Sequence, residues 1–166
     1  MKQSSPETQS ALLDAIRCGN LEVINDLAQS GADLTVADNK GWTPAYMAAR
    51  SGDVGVIEIV ANHGGDFVSK VAFGRTAAHA ASISGSADAI QFVAKLGGDF
   101  KAVDDDGRTT AHAAARSGNV EAIRAVFALG ADFSASDKSG ETTLQAAEKS
   151  GSEEAVAEVR KILASH

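Results

Sequence analysis

The chain has 166 residues, of which 44% are hydrophobic, and a formal net charge of −7. This composition is typical of a folded globular protein, and the acidic balance argues against a general nucleic-acid-binding protein, which is usually basic. No apolar run approaches the roughly 18 residues that a membrane-spanning helix needs, and the N-terminal segment lacks the apolar stretch of a signal peptide. One cysteine suits a reducing compartment, so we expect a cytoplasmic location, with the nucleus not excluded.

Three sets of small residues recur along the chain at intervals of 33 residues. They are Gly41, Gly74, Gly107 and Gly140; Gly19, Gly52, Gly85, Gly118 and Gly151; and Ala15, Ala48, Ala81, Ala114 and Ala147. Three columns with one period indicate an array of one repeated supersecondary unit. In such an array, interfaces between neighbouring units provide the stability that a central core provides elsewhere.

The period divides the chain into a short flexible N-terminus, residues 1–5, and one domain of five repeats over residues 6–166. We number the repeats one to five; they span residues 6–37, 38–70, 71–103, 104–136 and 137–166. Thr8 stands where the turn glycine belongs in repeat one, so we expect that repeat to lack a full hairpin. The charged last helix, SEEAVAEVRKIL, suits a terminal repeat that faces solvent. The two outer repeats therefore resemble caps.

Repeat two carries the clearest signals for two helices. Thr43 can cap the first helix, and Pro44 follows at the first helical position, where its fixed φ is suitable. That helix is predicted to run to about Arg50 and to end at Gly52, because glycine adopts the left-handed conformation that closes a helix. A second helix is predicted over residues 54–62.

The second helices share an apolar stripe, because two columns three residues apart lie on one helical face. The columns are Ile24, Ile57, Ile90, Ile123 and Val156, and Leu27, Val60, Val93, Val126 and Val159. The first helices carry alanine where neighbouring helices must approach closely.

Repeat three departs from this pattern at its turn. Its turn reads Val71-Ala72-Phe73, where the turns of repeats two, four and five are polar and begin with aspartate. Val71 in place of the turn aspartate, Ala77 in place of proline, and Ala87 and Ala89 in the second helix predict that repeat three is the least stable layer. Trp42, the only tryptophan, also departs from its column, which holds Arg75, Arg108 and Glu141 in the later repeats.

The core of each repeat resembles the T-P-L-H-x-A motif of the ankyrin repeat family. The four versions read TPAYMA at 43–48, TAAHAA at 76–81, TTAHAA at 109–114 and TTLQAA at 142–147. The resemblance covers roughly residues 6–166. It implies an all-α solenoid of stacked helix-turn-helix units that are joined by β-hairpin-like turns. It also implies a concave face, which consists of the turn tips and the exposed side of the first helices.

Residues that could carry chemistry have structural explanations. The resemblance implies that His79 and His112 bond to backbone of the turn, and neither has the neighbouring ligands of a zinc site. The triplet Asp104–Asp106 lacks the alternating ligands and the final glutamate of an EF-hand, so a solvated turn is expected. No phosphate-loop, dinucleotide or nucleophile-elbow motif occurs. We therefore expect no catalytic site, no metal, no cofactor and no enzymatic activity.

The residues without a structural role in the repeat fall on the concave face and form the predicted partner-binding site. They are Trp42, Met47, Arg50, Phe73, Arg75, Ile83, Asp105, Asp106, Arg108 and Arg116. Exposed aromatic residues beside arginines are typical of binding hot spots. The alternative for Trp42 and Phe73 is that they pack on each other across adjacent turns, and the two interpretations are compatible.

The tip and helix positions of the five repeats hold eight basic and five acidic residues, a surplus of three positive charges. The basic ones are Arg17, Lys40, Arg50, Arg75, Arg108, Arg116, Lys138 and Lys149, and the acidic ones are Glu7, Asp14, Asp105, Asp106 and Glu141. We expect a partner protein with acidic and apolar residues, no binding to nucleic acid or membrane, and a monomer when the chain is alone. The predicted function is a protein-protein interaction module. The alternatives are a regulatory inhibitor subunit that occludes a partner enzyme, and a scaffold segment of a larger protein.

Overall fold

The computed structural model describes residues 5–165. Over that range the chain forms ten α-helices and one short 3-10 helix, and the predicted all-α architecture is confirmed. The α-helices are α1 Pro6–Cys18, α2 Leu21–Gln29, α3 Pro44–Ser51, α4 Val54–Asn62, α5 Ala77–Ser84, α6 Ala87–Lys95, α7 Thr110–Ser117, α8 Val120–Ala128, α9 Thr143–Ser150 and α10 Glu153–Ala164. The 3-10 helix spans Ala72–Gly74.

The helices form five consecutive pairs that stack into two layers. In one layer α1, α3, α5, α7 and α9 each pack on the next, and in the other layer α2, α4, α6, α8 and α10 do the same. Each helix of the first layer also packs on its partner in the second. Every repeat thus contacts its neighbours in sequence, which is the arrangement of a solenoid.

The N-terminal repeat begins directly with a helix. Residues 1–4 of the predicted flexible N-terminus lie outside the described residues, and Ser5 caps α1 by accepting a hydrogen bond from the Thr8 backbone N–H at 3.2 Å. Thr8 lies inside α1, so the expected absence of a full hairpin in repeat one is confirmed.

Short polar signals set the ends of the first-layer helices, as predicted. Threonine side chains cap α3, α5, α7 and α9, and glycines with left-handed backbone follow them. The caps are Thr43, Thr76, Thr109 and Thr142, and the glycines are Gly52, Gly85, Gly118 and Gly151. The φ of Gly52 is 74°, which side chains with a Cβ rarely adopt.

The core lies between the two layers and runs the length of the stack. The alanine column of the first layer is buried, and so is the isoleucine column of the second layer, Ile24, Ile57, Ile90 and Ile123. The apolar stripe of the second layer is buried except at Leu27 and Val156, which are half-buried and pack against the same core. A further buried column, Val56, Ala89, Ala122 and Ala155, was not anticipated.

Aspartate side chains shape the turns of repeats two, four and five. Asp104 Oδ1 accepts hydrogen bonds from the backbone N–H groups of Asp106 and Arg108, both at 2.9 Å. Asp38 and Asp137 likewise accept hydrogen bonds from the backbone N–H groups two and four residues later in their own turns. Repeat three has Val71 at this position, and its turn forms the 3-10 helix instead.

Candidate functional site

Seven of the ten predicted binding residues line two grooves of the structure. Trp42, Met47 and Arg50 line a groove of about 480 Å³ at repeats one and two. A second groove, of about 210 Å³, lies between repeats three and four, and the predicted residues that line it are Arg75, Ile83, Arg108 and Arg116. Phe73 is exposed at the turn between the two groups, while Asp105 and Asp106 are exposed on the turn of repeat four and line neither groove.

We call the first groove the Trp42 groove; Arg17, Asp38, Lys40 and Ser51 complete its lining. The indole of Trp42 stacks on the buried ring of Tyr46, with 4.5 Å between ring centroids. The indole also contacts the ring of Phe73, with 5.8 Å between ring centroids and an angle of 42° between the ring planes. The expected packing of Trp42 on Phe73 across adjacent turns is therefore confirmed.

Phe73 keeps 64% of its surface exposed despite that contact. Its φ is 60°, and within residues 5–165 it is the one residue other than glycine with a positive φ. A bulky side chain in this region of backbone space is costly. The aromatic ring is thus held at the surface by a strained turn.

The interpretation that Arg75 and Arg108 have no structural role is wrong. The Nε atom of Arg75 lies 3.4 Å from Asp104 Oδ2, and that of Arg108 lies 3.2 Å from Asp137 Oδ2. Both aspartates are buried in the turn of the following repeat. Each arginine therefore neutralises a buried carboxylate across a repeat interface. Whether the two also contact a partner stays a prediction.

Hydrogen bonds explain how Asp137 remains ionised while buried. The Ser139 hydroxyl, the backbone N–H groups of Glu141 and Ser139, and the Arg108 guanidinium hold the pKa of Asp137 well below its ordinary value. These groups stabilise the carboxylate against the unfavourable effect of burial.

Glu141 is the acidic centre at the other end of the face. Its carboxylate binds both Lys149 and Arg116, and these two cations lower its pKa, Lys149 more strongly. Arg116, a predicted binding residue, is therefore already ion-paired within the chain.

The histidines have structural roles, as the resemblance implied. His79 Nδ1 accepts a hydrogen bond from the Thr76 backbone N–H at 3.3 Å, and Nε2 lies 3.1 Å from the carbonyl oxygen of Arg108. His112 makes the equivalent contacts one repeat later, with Nε2 at 3.0 Å from the Glu141 carbonyl oxygen. Each ring thus binds its own helix cap and the backbone of the next repeat. In residues 5–165, no three His, Cys, Asp or Glu side chains form a group that could hold a metal ion.

Two parts of the face were missed by sequence reasoning. Tyr46, whose ring stacks on Trp42, occupies the column that holds His79 and His112 in later repeats, and it is not among the predicted site residues. The pairing of Arg75 with Asp104 and of Arg108 with Asp137 has a visible signal, since both pairs are 29 residues apart. In repeats two and three the positions with the same spacing hold Trp42 and Val71, which cannot form an ion pair.

Comparisons with known proteins agree with this geometry. A family model that describes ankyrin repeats in three copies matches residues 12–104 and again residues 90–163. Notch-regulated ankyrin repeat-containing protein A of Danio rerio is 41% identical over 44 residues, which are 26% of this chain. The match spans 39% of that curated relative, about two fifths of its length.

No helix within the described part of the chain is both long and apolar enough to cross a membrane. Ankyrin repeats are generally protein-protein interaction modules and typically lack enzymatic activity. With a matching family model over most of its length and the stacked helix pairs that this family forms, the chain belongs to the ankyrin repeat family.

Proposed function

We propose that this chain is a non-enzymatic protein-binding module that holds a partner protein across its concave face. The observation that carries the proposal is the exposed aromatic ring of Phe73 beside the Trp42 groove. An aromatic side chain held at the surface by a strained turn costs stability, and such residues often anchor binding partners. The other nine residues of the predicted site provide the surrounding contacts.

A photocrosslinking experiment tests this proposal. A photoreactive phenylalanine analogue replaces Phe73 in one variant and Gln91 in a matched control, because Gln91 is exposed on α6, outside the concave face. After irradiation in lysate, we expect a partner that is captured from position 73, displaced by excess unmodified protein, and absent from position 91. Capture of the same proteins from both positions, or of none from position 73, would contradict the proposal.

An activity assay on the captured partner separates an adaptor from an inhibitor. When the captured partner is an enzyme, its activity with and without the purified chain shows whether binding occludes its active site. An unchanged activity favours the adaptor, and a loss of activity favours the inhibitor.

A further inference from the structure

The cations on the concave face of repeats three to five are mostly neutralised within the chain. Arg75 and Arg108 pair with buried turn aspartates, and Arg116 and Lys149 share Glu141. Lys138 is the exception among the described residues of these repeats. A cation that already binds a carboxylate attracts a second one weakly, because the two charges largely cancel beyond a few ångströms.

The cations of repeats one and two are in the opposite state. Lys40 and Arg50 form no ion pair with any of residues 5–165. Arg17 lies 3.1 Å from Asp14, but both side chains are more than half exposed, at 61% and 65%. Ion pairs with that exposure contribute little, so Arg17 can exchange Asp14 for another anion at small cost.

These three cations converge on the Trp42 groove. The lining contains one acidic residue, Asp38. Its Oδ1 already accepts hydrogen bonds from the backbone N–H groups of Lys40 at 2.8 Å and Trp42 at 2.9 Å. Three positive charges and one negative charge leave +2 on the lining of the groove, in a chain whose net charge is −7. The groove is therefore a local positive site on an acidic protein.

The same groove offers an apolar anchor point. Trp42 and the half-buried Met47 line it, and Phe73 extends from its edge. A volume of about 480 Å³ suits one or two side chains of a bound segment. The position of Phe73 holds Lys40, Asp106 and Ser139 in the other turns, so the turn itself does not require an aromatic ring.

We infer that the bound partner presents an acidic segment to repeats one and two, with an apolar side chain seated against Trp42 and Phe73. The inference rests on the proposed function and places the carboxylates of the bound segment over Arg17, Lys40 and Arg50. A protein segment fits this site better than a nucleic acid, because the charge of an extended phosphate backbone would continue over the neutralised face and the acidic remainder of the chain.

Selection from a random dodecapeptide library displayed on phage, with the purified chain as bait, tests the inference. We expect enriched peptides in which aspartate and glutamate flank an aliphatic or aromatic residue. The double variant Lys40→Glu, Arg50→Glu should weaken the binding of the best peptide by about tenfold or more, with stronger loss at low salt. The matched control reverses Lys95 and Lys161, two exposed cations of α6 and α10, and should leave the affinity nearly unchanged.

Several results would overturn the inference. They are enrichment of neutral or basic peptides, no enrichment at all, equal loss in the two double variants, or tighter binding of a single-stranded oligothymidylate than of any peptide. Calorimetric titration of each purified chain measures these affinities. Specific capture from position 73 alongside any of these results would leave the binding module intact and remove only the acidic segment.

Discussion

His79 joins two repeats through a single side chain. Its Nδ1 accepts a hydrogen bond from the backbone N–H of Thr76, and its Nε2 lies within hydrogen-bond distance of the Arg108 carbonyl oxygen. A neutral ring with its proton on Nε2 therefore satisfies both groups. Burial lowers the pKa of His79 below its ordinary value of 6.5. Protonation would place a charge in the interface and remove the Nδ1 acceptor.

This arrangement predicts a pH-dependent stability. Below pH about 6.5 the unfolded chain takes up a proton at His79 that the folded chain resists, so the free energy of unfolding should fall as the pH drops. At higher pH both states are neutral and the effect vanishes. Urea unfolding followed by circular dichroism at pH 7.5 and pH 5.5 measures the difference.

The control is His79→Gln, because Gln145 already occupies the same column and completes a capping box with Thr142. The variant should lose less stability than the wild-type chain between the two pH values, whatever its absolute stability. Equal losses in the two proteins would contradict a role for His79 in the pH dependence.

At the scale of the elements, the turn of repeat three replaces polar contacts by apolar ones. In the two later interfaces an arginine binds the aspartate of the next turn, whereas the corresponding positions of repeats two and three hold Trp42 and Val71. The two losses are consistent with one another, since an aspartate at position 71 without an arginine at position 42 would lack the ion pair that Asp104 and Asp137 have.

A double-mutant cycle tests this link. The effects of Trp42→Arg and Val71→Asp on the free energy of unfolding should not be additive. The double variant should be more stable, by about 1 kcal/mol, than the sum of the two single effects predicts. Circular dichroism during urea unfolding gives the four free energies. Additivity within about 0.3–0.5 kcal/mol would mean that the two positions are independent.

At the scale of the whole molecule, stability depends on interfaces between neighbours. Repeat three lacks the turn aspartate that accepts backbone N–H groups elsewhere, so we predict that it opens most easily. Native-state hydrogen exchange should show the amides of α5 and α6 less protected than those of the two terminal repeats, by on the order of 1 kcal/mol in opening free energy. Uniform protection along the chain would contradict this prediction.

The features predictable from the sequence are those with local causes. Thr43 and Gly52 mark the ends of a helix that was predicted to reach Arg50 and ends at Ser51, and the predicted range 54–62 matches Val54–Asn62. Contacts that depend on the stacking register were not predictable in this way. The roles of Arg75 and Arg108 require knowledge of which side chains meet across an interface, and the choice of partner requires a surface outside this chain.

The stacked position of Trp42 has an optical consequence. Trp42 is the single tryptophan of the chain, and its ring contacts Tyr46 of its own repeat and Phe73 of the next. Its fluorescence therefore reports on one junction of the array, between repeats two and three, whereas circular dichroism averages over the helices of every repeat. If that junction separates before the rest of the stack unfolds, the emission will change at a lower urea concentration than the helical signal.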